Sequence, residues 1–143
     1  MTVALILKAK GNAVFTIEPT RVLSEAVQIL CERKIGAVIV TDAKGKPEGI
    51  LSERDIVAAL GNGGREALMR PVKDFMSSPV ITCARGDSVE ELMERMTDRR
   101  IRHLPVVEQG RLVGIVSIGD VVKRRIAETE FEANSMREYI AHA

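Results

Sequence analysis

Two Ser-x-x-Asp segments carry the residue types in this sequence that are best suited to binding chemistry. Ser52 to Asp55 and Ser117 to Asp120 each follow a glycine and two apolar residues. A serine at a helix start can hold a phosphate or sugar oxygen together with the free N–H groups of the first helical turn. An aspartate has two acceptor oxygens, which suit the two vicinal hydroxyls of a ribose. The same spacing also predicts a capping box, which only closes the helix end.

Enzyme motifs are missing from the sequence. It contains no GxSxG, GxxxxGK[ST] or HExxH, and no dinucleotide GxGxxG after a strand. Cys31 and Cys83 lie far apart without a CxxC, which argues against a zinc site and a disulfide and predicts two buried thiols in a reducing compartment. The apolar run at residues 3–7 is too short for a signal-peptide core. We therefore expect a cytoplasmic protein that is not an enzyme and needs no catalytic cofactor or metal.

The charge balance bears on the class of partner. Lys and Arg number 21 against 20 Asp and Glu, so the net charge of +1 provides no field that would draw the chain to nucleic acid or to a membrane. The basic run at residues 123–125 closes a predicted helix, where positive charge suits the helix dipole. Any anion site must therefore be local.

The two Ser-x-x-Asp segments belong to a repeat that covers most of the chain. Residues 14–16 match residues 80–82 with a shift of 66, and residues 49–52 match residues 114–117 with a shift of 65. The difference of one residue falls in a turn between two strands, where hairpins vary in length. The chain therefore consists of two similar units.

Each unit predicts the same order of elements: strand, helix, strand, strand, helix. The first strands are expected at residues 14–17 and near 80–82, and the last helices open at Ser52 and Ser117. A single unit exposes a sheet face, and burying one Val or Ile is worth roughly 1.5–3 kcal/mol, so the two sheets should pack together. The prediction is an α/β (α+β) fold of two βαββα units plus a separate amphipathic C-terminal helix.

This order of motifs resembles the tandem repeats of the cystathionine-beta-synthase-type (CBS) domain. The resemblance rests on both Ser-x-x-Asp corners and on the segment Arg99 to Val107, which looks like the basic segment and strand of nucleotide-binding repeats. It implies a disc with pseudo-twofold symmetry and two ligand clefts. The expected repeats span residues 7–64 and 65–126, and the C-terminal helix spans residues 127–143.

The resemblance also implies which residues hold a ligand. The ribose would be held by Asp55 and Asp120, and the phosphate would face Ser52, Ser117, Arg102 and His103. The adenine slots would be shaped by Thr16, Ala37 and Val38 in the first copy and by Thr82, Leu104 and Pro105 in the second. Only the second copy has the Arg-His pair, so its cleft is expected to bind phosphate more strongly, unless a basic side chain of one repeat reaches the other repeat's ligand.

Three basic residues keep two interpretations each. Lys10 either binds an anion at the entry to the first repeat or is solvated. Arg54 either forms an ion pair on the side of the helix where Glu53 lies or binds a phosphate. His103 faces phosphate or makes one ordinary buried hydrogen bond.

The favoured function is a regulatory module that binds an adenosine nucleotide, either AMP, ADP, ATP or NAD(H), with S-adenosylmethionine sharing the same adenosine. The alternatives are an interaction module with empty clefts and an enzyme accessory domain. A homodimer is expected, with Phe131, Met136 and Tyr139 buried between the subunits. A further protein partner is left unidentified.

Overall fold

Short strands and helices alternate along the chain in two matching series. The computed structural model describes residues 1–142. The helices are α1 (Val3–Lys10), α2 (Leu23–Arg33), α3 (Glu53–Gly63), α4 (Val89–Arg99) and α5 (Ile118–Ala141). The strands are β1 (Thr16–Ile17), β2 (Ala37–Thr41), β3 (Pro47–Ser52), β4 (His103–Glu108) and β5 (Arg111–Ser117). Two 3-10 helices, Gly64–Met69 and Val72–Asp74, connect the two series.

The strands form two small sheets, one in each half of the chain. In the first sheet β1 runs parallel to β2, and β2 pairs with β3 in the antiparallel direction. In the second sheet β4 and β5 form an antiparallel hairpin. The pairing register shifts at residues 40–41 in one hairpin and at residues 106–107 in the other, at matching places in the repeat. The predicted fold class is confirmed.

The first strand of the second unit differs from the prediction. Residues 80–82 form no regular strand, and only Cys83 makes a parallel bridge with Val106. The carbonyl of Thr82 accepts a hydrogen bond from Arg95 Nη1 at 3.1 Å, so its acceptor faces a side chain of α4. In the first unit the strand is also shorter than predicted, since β1 begins only at Thr16.

The helix α1 was not predicted, and it completes the core of the second half. Its residues Val3, Ile6 and Leu7 are buried in one hydrophobic cluster with residues of α4, β4, β5 and α5. The first half has its own cluster, which includes Leu23, Val38, Val40, Leu51 and Ile56. The N-terminal end of the chain is thereby fixed against the second repeat.

The predicted C-terminal helix is not separate, because α5 runs without a break for 24 residues from Ile118 to Ala141. No proline interrupts the segment, and its single glycine lies in the first turn. The last residue of the predicted segment, 143, lies outside the described residues. Within residues 1–142, no helix is both long and apolar enough to span a membrane.

The prediction of two buried thiols was wrong for Cys31. This residue is exposed on α2, whose buried residues are Leu23, Ala26 and Leu30. One residue beyond Leu30, the side chain points about 100° away from the buried stripe. Cys83 is buried, and this burial raises the pKa of its thiol to about 12.

We predict that Gly49→Ala destabilises the fold. A Cβ at position 49 would lie 2.7 Å from Sδ of Met76 and 2.9 Å from the carbonyl oxygen of Ser77. Because the second contact is with backbone, we expect the free energy of unfolding to fall by about 1–3 kcal/mol. Urea denaturation measures it, with Gly61→Ala as the matched control.

A Cβ at Gly61 meets no atom within 4 Å, and the residue lies in α3. Alanine there should stabilise the helix by up to about 1 kcal/mol. Equal stability changes in the two variants would contradict the packing described at Gly49.

Candidate functional site

Both Ser-x-x-Asp corners form complete capping boxes. Ser52 N donates to Asp55 Oδ2 at 2.9 Å, and Asp55 N donates to Ser52 Oγ at 3.4 Å. The second corner repeats this geometry, with 2.8 Å from Ser117 N to Asp120 Oδ2 and 3.2 Å from Asp120 N to Ser117 Oγ. The capping interpretation of the motif is therefore confirmed, since each pair closes the strand-to-helix corner of its repeat.

The capping boxes use only one oxygen of each carboxylate. In both corners the serine N–H and the serine hydroxyl donate to Oδ2. Oδ1 of Asp55 accepts only a long hydrogen bond, 3.4 Å, from Ser77 Oγ. Oδ1 of Asp120 accepts none from residues 1–142. Helix capping and ligand binding are therefore compatible functions of the same aspartate.

A first cleft, which we call the Asp55 cleft, combines the corner of one repeat with the basic segment of the other. It has a volume of about 430 Å³ and is lined by residues 52–55 and by residues 100–103. Arg102 thus shares a cleft with Asp55 of the other repeat, and His103 lines both this cleft and the second one described below. Arg54 also lines this cleft, and no ion pair joins it to Glu53 within residues 1–142.

A second cleft, which we call the Phe15 cleft, contains residues at matching positions of the repeat, such as Ser117 for Ser52, but it is not lined by Asp120. Its volume is about 390 Å³, and both clefts fall within the roughly 300–1,000 Å³ typical of small-molecule sites. The first repeat contributes residues 13–15 and 34–37, and the second contributes His103, Ile115 and Ser117. Residues of β2 and β5 therefore line the same cleft, which lies between the two repeats.

The predicted site residues are divided between these places. Six line the Asp55 cleft: Ser52, Arg54, Asp55, Arg102, His103 and Ser117. Lys10, Ala37, His103 and Ser117 line the Phe15 cleft. Neither cleft is lined by Asp120, which lies at a separate groove between α1 and α5. The same holds for five further predicted residues, which line neither cleft: Thr16, Val38, Thr82, Leu104 and Pro105.

Strand alternation explains the positions of Val38 and Leu104. Both side chains are fully buried in the hydrophobic clusters of their own repeats. Successive residues of a strand point to opposite faces, so the neighbours Ala37 and His103 face the clefts.

Several residues that line the clefts were missed by the sequence analysis, and one of them has a packing role. A Cβ at Gly36 would lie 3.3 Å from both His103 Nε2 and Glu53 Oε1. The glycine therefore leaves space for the imidazole of the other repeat. The signal was the Gly36-Ala37 pair that replaces Arg102-His103 in the repeat. Phe15, Lys34, Ser77 and Arg100 were missed as well.

Lys10 distinguishes the second corner from the first. Its ammonium donates to Asp120 Oδ2 at 2.7 Å and to the carbonyl oxygen of Ile115 at 3.0 Å. In the first corner Ser77 provides the matching contacts, because its N–H donates to Ile50 O at 2.9 Å and its hydroxyl contacts Asp55. A cation therefore takes the place of a neutral hydroxyl beside the second aspartate.

The pKa values of two groups reflect this arrangement. Burial acts to raise the pKa of Asp120, but hydrogen bonds from Lys10 and Ser117 outweigh it, so the pKa lies below its ordinary value. Burial lowers the pKa of His103, and the nearby Lys10 and Arg102 add to this effect against Glu53 and Asp120. The lowered pKa favours the neutral imidazole, so the positive charge near His103 comes from Lys10 and Arg102.

We predict that Lys10→Met raises the pKa of Asp120, because the mutation removes the cation that stabilises the carboxylate. The depressed pKa means that Lys10 stabilises the fold above the unfolded pKa, roughly 3.9, and that this stabilisation is lost as the pH falls through the folded pKa. The variant should therefore lose less stability on acidification. Carboxyl NMR titration and acid unfolding measure both effects.

Lys8→Met is the matched control, because Lys8 is exposed on the same helix and forms no ion pair within residues 1–142. An unchanged pKa of Asp120 in Lys10→Met would contradict the ion pair.

Comparison with known proteins places the fold in a family. The sequence profile described as "CBS domain" matches residues 12–62 and 72–127. The chain is 31% identical over 129 residues to the CBS domain-containing protein YhcV of Bacillus subtilis, covering 90% of this chain and 89% of that protein. It is 36% identical over 111 residues to protein MK0525 of Methanopyrus kandleri, covering 77% of this chain and 57% of that one.

Solved structures agree with this assignment. The CBS-domain protein ATU1752 of Agrobacterium tumefaciens superposes with a TM-score of 0.84 at 46% identity, covering 87% of this chain and 92% of that one. The domain pair of MJ0100, in complex with 5'-methylthioadenosine and S-adenosyl-L-methionine, has a TM-score of 0.80, 26% identity and coverage of 90% and 98%. PAE2072 of Pyrobaculum aerophilum, complexed with AMP, has a TM-score of 0.75 at 28% identity, covering 84% of this chain and 89% of that one. The chain therefore belongs to the CBS domain family, as a tandem pair of its repeats.

Proposed function

We propose that this CBS pair is a regulatory module that binds an adenosine nucleotide, either AMP, ADP, ATP or NAD(H), between its repeats. The observation that carries the proposal is the composition of the Asp55 cleft. In this cleft Asp55 Oδ1, which the capping box does not use, can accept a hydrogen bond from a ribose hydroxyl. Arg54 and Arg102 line the same cleft and can donate hydrogen bonds to a phosphate. The ligands of the two solved relatives share adenosine, which supports an adenosine ligand for this chain.

The geometry favours one arrangement of ribose and phosphate. Since Arg102 lies in the cleft of Asp55, the ribose is held by the first corner while the phosphate meets the basic segment of the second repeat. In the Phe15 cleft, Lys10 and Lys34 provide the positive charge, and Lys10 is already bound to Asp120. The Asp55 cleft is therefore the stronger site for AMP, and the order expected from the repeat alone is exchanged.

We predict that Asp55→Ala and Arg102→Ala each weaken AMP binding at least tenfold, whereas Asp120→Ala retains the tighter site. The reason is that a charge-assisted hydrogen bond is worth roughly 1.5–3 kcal/mol. Calorimetric titration measures the affinities. Asp98→Ala is the control, since Asp98 is an exposed carboxylate on α4 outside both clefts.

Circular dichroism must show that the variants remain folded, because Asp55→Ala also removes part of a helix cap. If Asp55→Ala and Arg102→Ala both bind AMP like the parent protein, the Ser-x-x-Asp motif is only a cap here and the nucleotide function is wrong.

We further propose that the module acts as a homodimer through α5. Its residues at positions 122, 126, 129, 133, 136 and 140 are spaced alternately by four and three, as in a coiled-coil seam. Five of them are apolar, and the small residues Thr129 and Ala133 occupy the centre. The large members are exposed: Val122 by 46%, Ile126 by 54%, Met136 by 60% and Ile140 by 66%. Phe131 lies on the opposite side of the helix, so it is not part of this seam.

The charges beside the seam favour a parallel pair. In a parallel coiled coil, the residue at heptad position g of one helix faces position e of the next heptad in the other helix, five residues later. With Ile126 at position a, residues 125 and 132 are at position g and residues 130 and 137 are at position e. Arg125 would face the partner subunit's Glu130, and Glu132 would face the partner subunit's Arg137. Both contacts join opposite charges, so the α5 helices of the two subunits run parallel when they pack along this seam.

We predict that Met136→Cys forms a disulfide-linked dimer on mild oxidation in a Cys31→Ser background. A parallel pair brings position 136 against itself in the seam, and the exposed native thiol must be absent. Ser135→Cys is the matched control, because position 135 lies outside the seam. Light scattering at micromolar concentration should give the mass of two chains. A monomer there, or equal crosslinking of both variants, would contradict the parallel pair.

A further inference from the structure

A groove between α1 and α5 lies outside the two clefts. It is lined by Ile6, Ala9, Lys10, Lys123, Arg124 and, at one end, Asp120. Its volume of about 150 Å³ exceeds the roughly 30 Å³ share of one water molecule, and it is too small for a nucleotide-sized ligand. We call it the Arg124 groove.

The groove has an excess of positive charge. Three cations face one carboxylate, and Asp120 is already held by Lys10 and by the capping box. The side chains of Lys123 and Arg124 form no ion pair and no hydrogen bond with any group in residues 1–142. The next residue, Arg125, differs, because it pairs with Glu90 at 3.1 Å and with Glu128 at 3.5 Å.

The guanidinium of Arg124 also has a donor without a partner. Its Nε is buried and has no hydrogen-bond partner among the described residues. A buried donor without an acceptor costs free energy, and such groups in native proteins usually meet a ligand, an ion or a bound water. The planar guanidinium of arginine suits the oxygens of a phosphate group, to which it can donate two parallel hydrogen bonds.

We infer that the Arg124 groove is a binding site for a phosphate group, held by Lys123, Arg124 and the free donor of Lys10. The ammonium of Lys10 has three donors, and two of them are used by Asp120 and Ile115. The inference does not depend on the nucleotide function proposed above.

The phosphate has two chemical sources. Inorganic phosphate is one. The other is a phosphate of a nucleotide that extends from the Phe15 cleft, since Lys10 lines both places. Calorimetric titrations of inorganic phosphate, AMP and adenosine at constant ionic strength separate these sources.

The test compares Lys123→Gln and Arg124→Gln with the control Lys8→Gln, all in the full chain, because Lys8 is an exposed cation of α1 that does not line the groove. Lys123 is exposed, so its substitution leaves the core intact even if Arg124→Gln proves unstable. We expect inorganic phosphate to bind the parent protein and the control, and to bind both groove variants roughly tenfold more weakly. If the groove instead takes a phosphate of a nucleotide in the Phe15 cleft, the affinity of the weaker AMP site falls by a similar factor in both groove variants, while adenosine affinity does not change.

Groove variants that bind phosphate and AMP as tightly as Lys8→Gln does would overturn the inference. Asp55→Ala distinguishes this failure from failure of the nucleotide function, because Asp55 does not line the groove. Loss of AMP binding in Asp55→Ala with unchanged groove variants leaves only the nucleotide function standing. Phosphate binding that depends on Lys123 in a protein that does not bind AMP leaves only the groove.

Discussion

The capping box between serine and aspartate is the interaction on which the two clefts depend. In each repeat it turns the chain from a strand into a helix and fixes the carboxylate with Oδ2 against the backbone. The strand register then sets what lies opposite, because Ser52 pairs with Ala37 and Ser117 pairs with His103. The capping box therefore also fixes where Oδ1 of each aspartate lies relative to the basic residues.

The asymmetry of the two corners follows from how the N-terminal helix packs. The apolar face of α1 fills the core of the second half, and its last residue is Lys10. Packing of Val3, Ile6 and Leu7 therefore carries a cation to Asp120, while the first corner has only the hydroxyl of Ser77. The halves thus share one backbone plan and differ in charge at the corresponding carboxylates.

Local patterns in the sequence were enough to predict the repeat, the hairpins and both helix starts. Each depends on residues that are close in the chain, such as Ser52 and Asp55, whose spacing decides the cap. The pairing of Arg102 with Asp55 was not predicted as the main arrangement, because it depends on how the two halves dock. The length of α5 was missed for another reason: its exposed apolar residues suggested a separate element, although no residue ends the helix near position 126.

A crystal structure of the protein with AMP would show whether the nucleotide is shared between the corner of the first repeat and the basic segment of the second. We expect a ribose hydroxyl within hydrogen-bond distance of Asp55 Oδ1 and the phosphate beside Arg102, with both capping boxes unchanged. Ribose on Asp120 with the phosphate on Arg102, or a nucleotide bound outside both clefts, would contradict it.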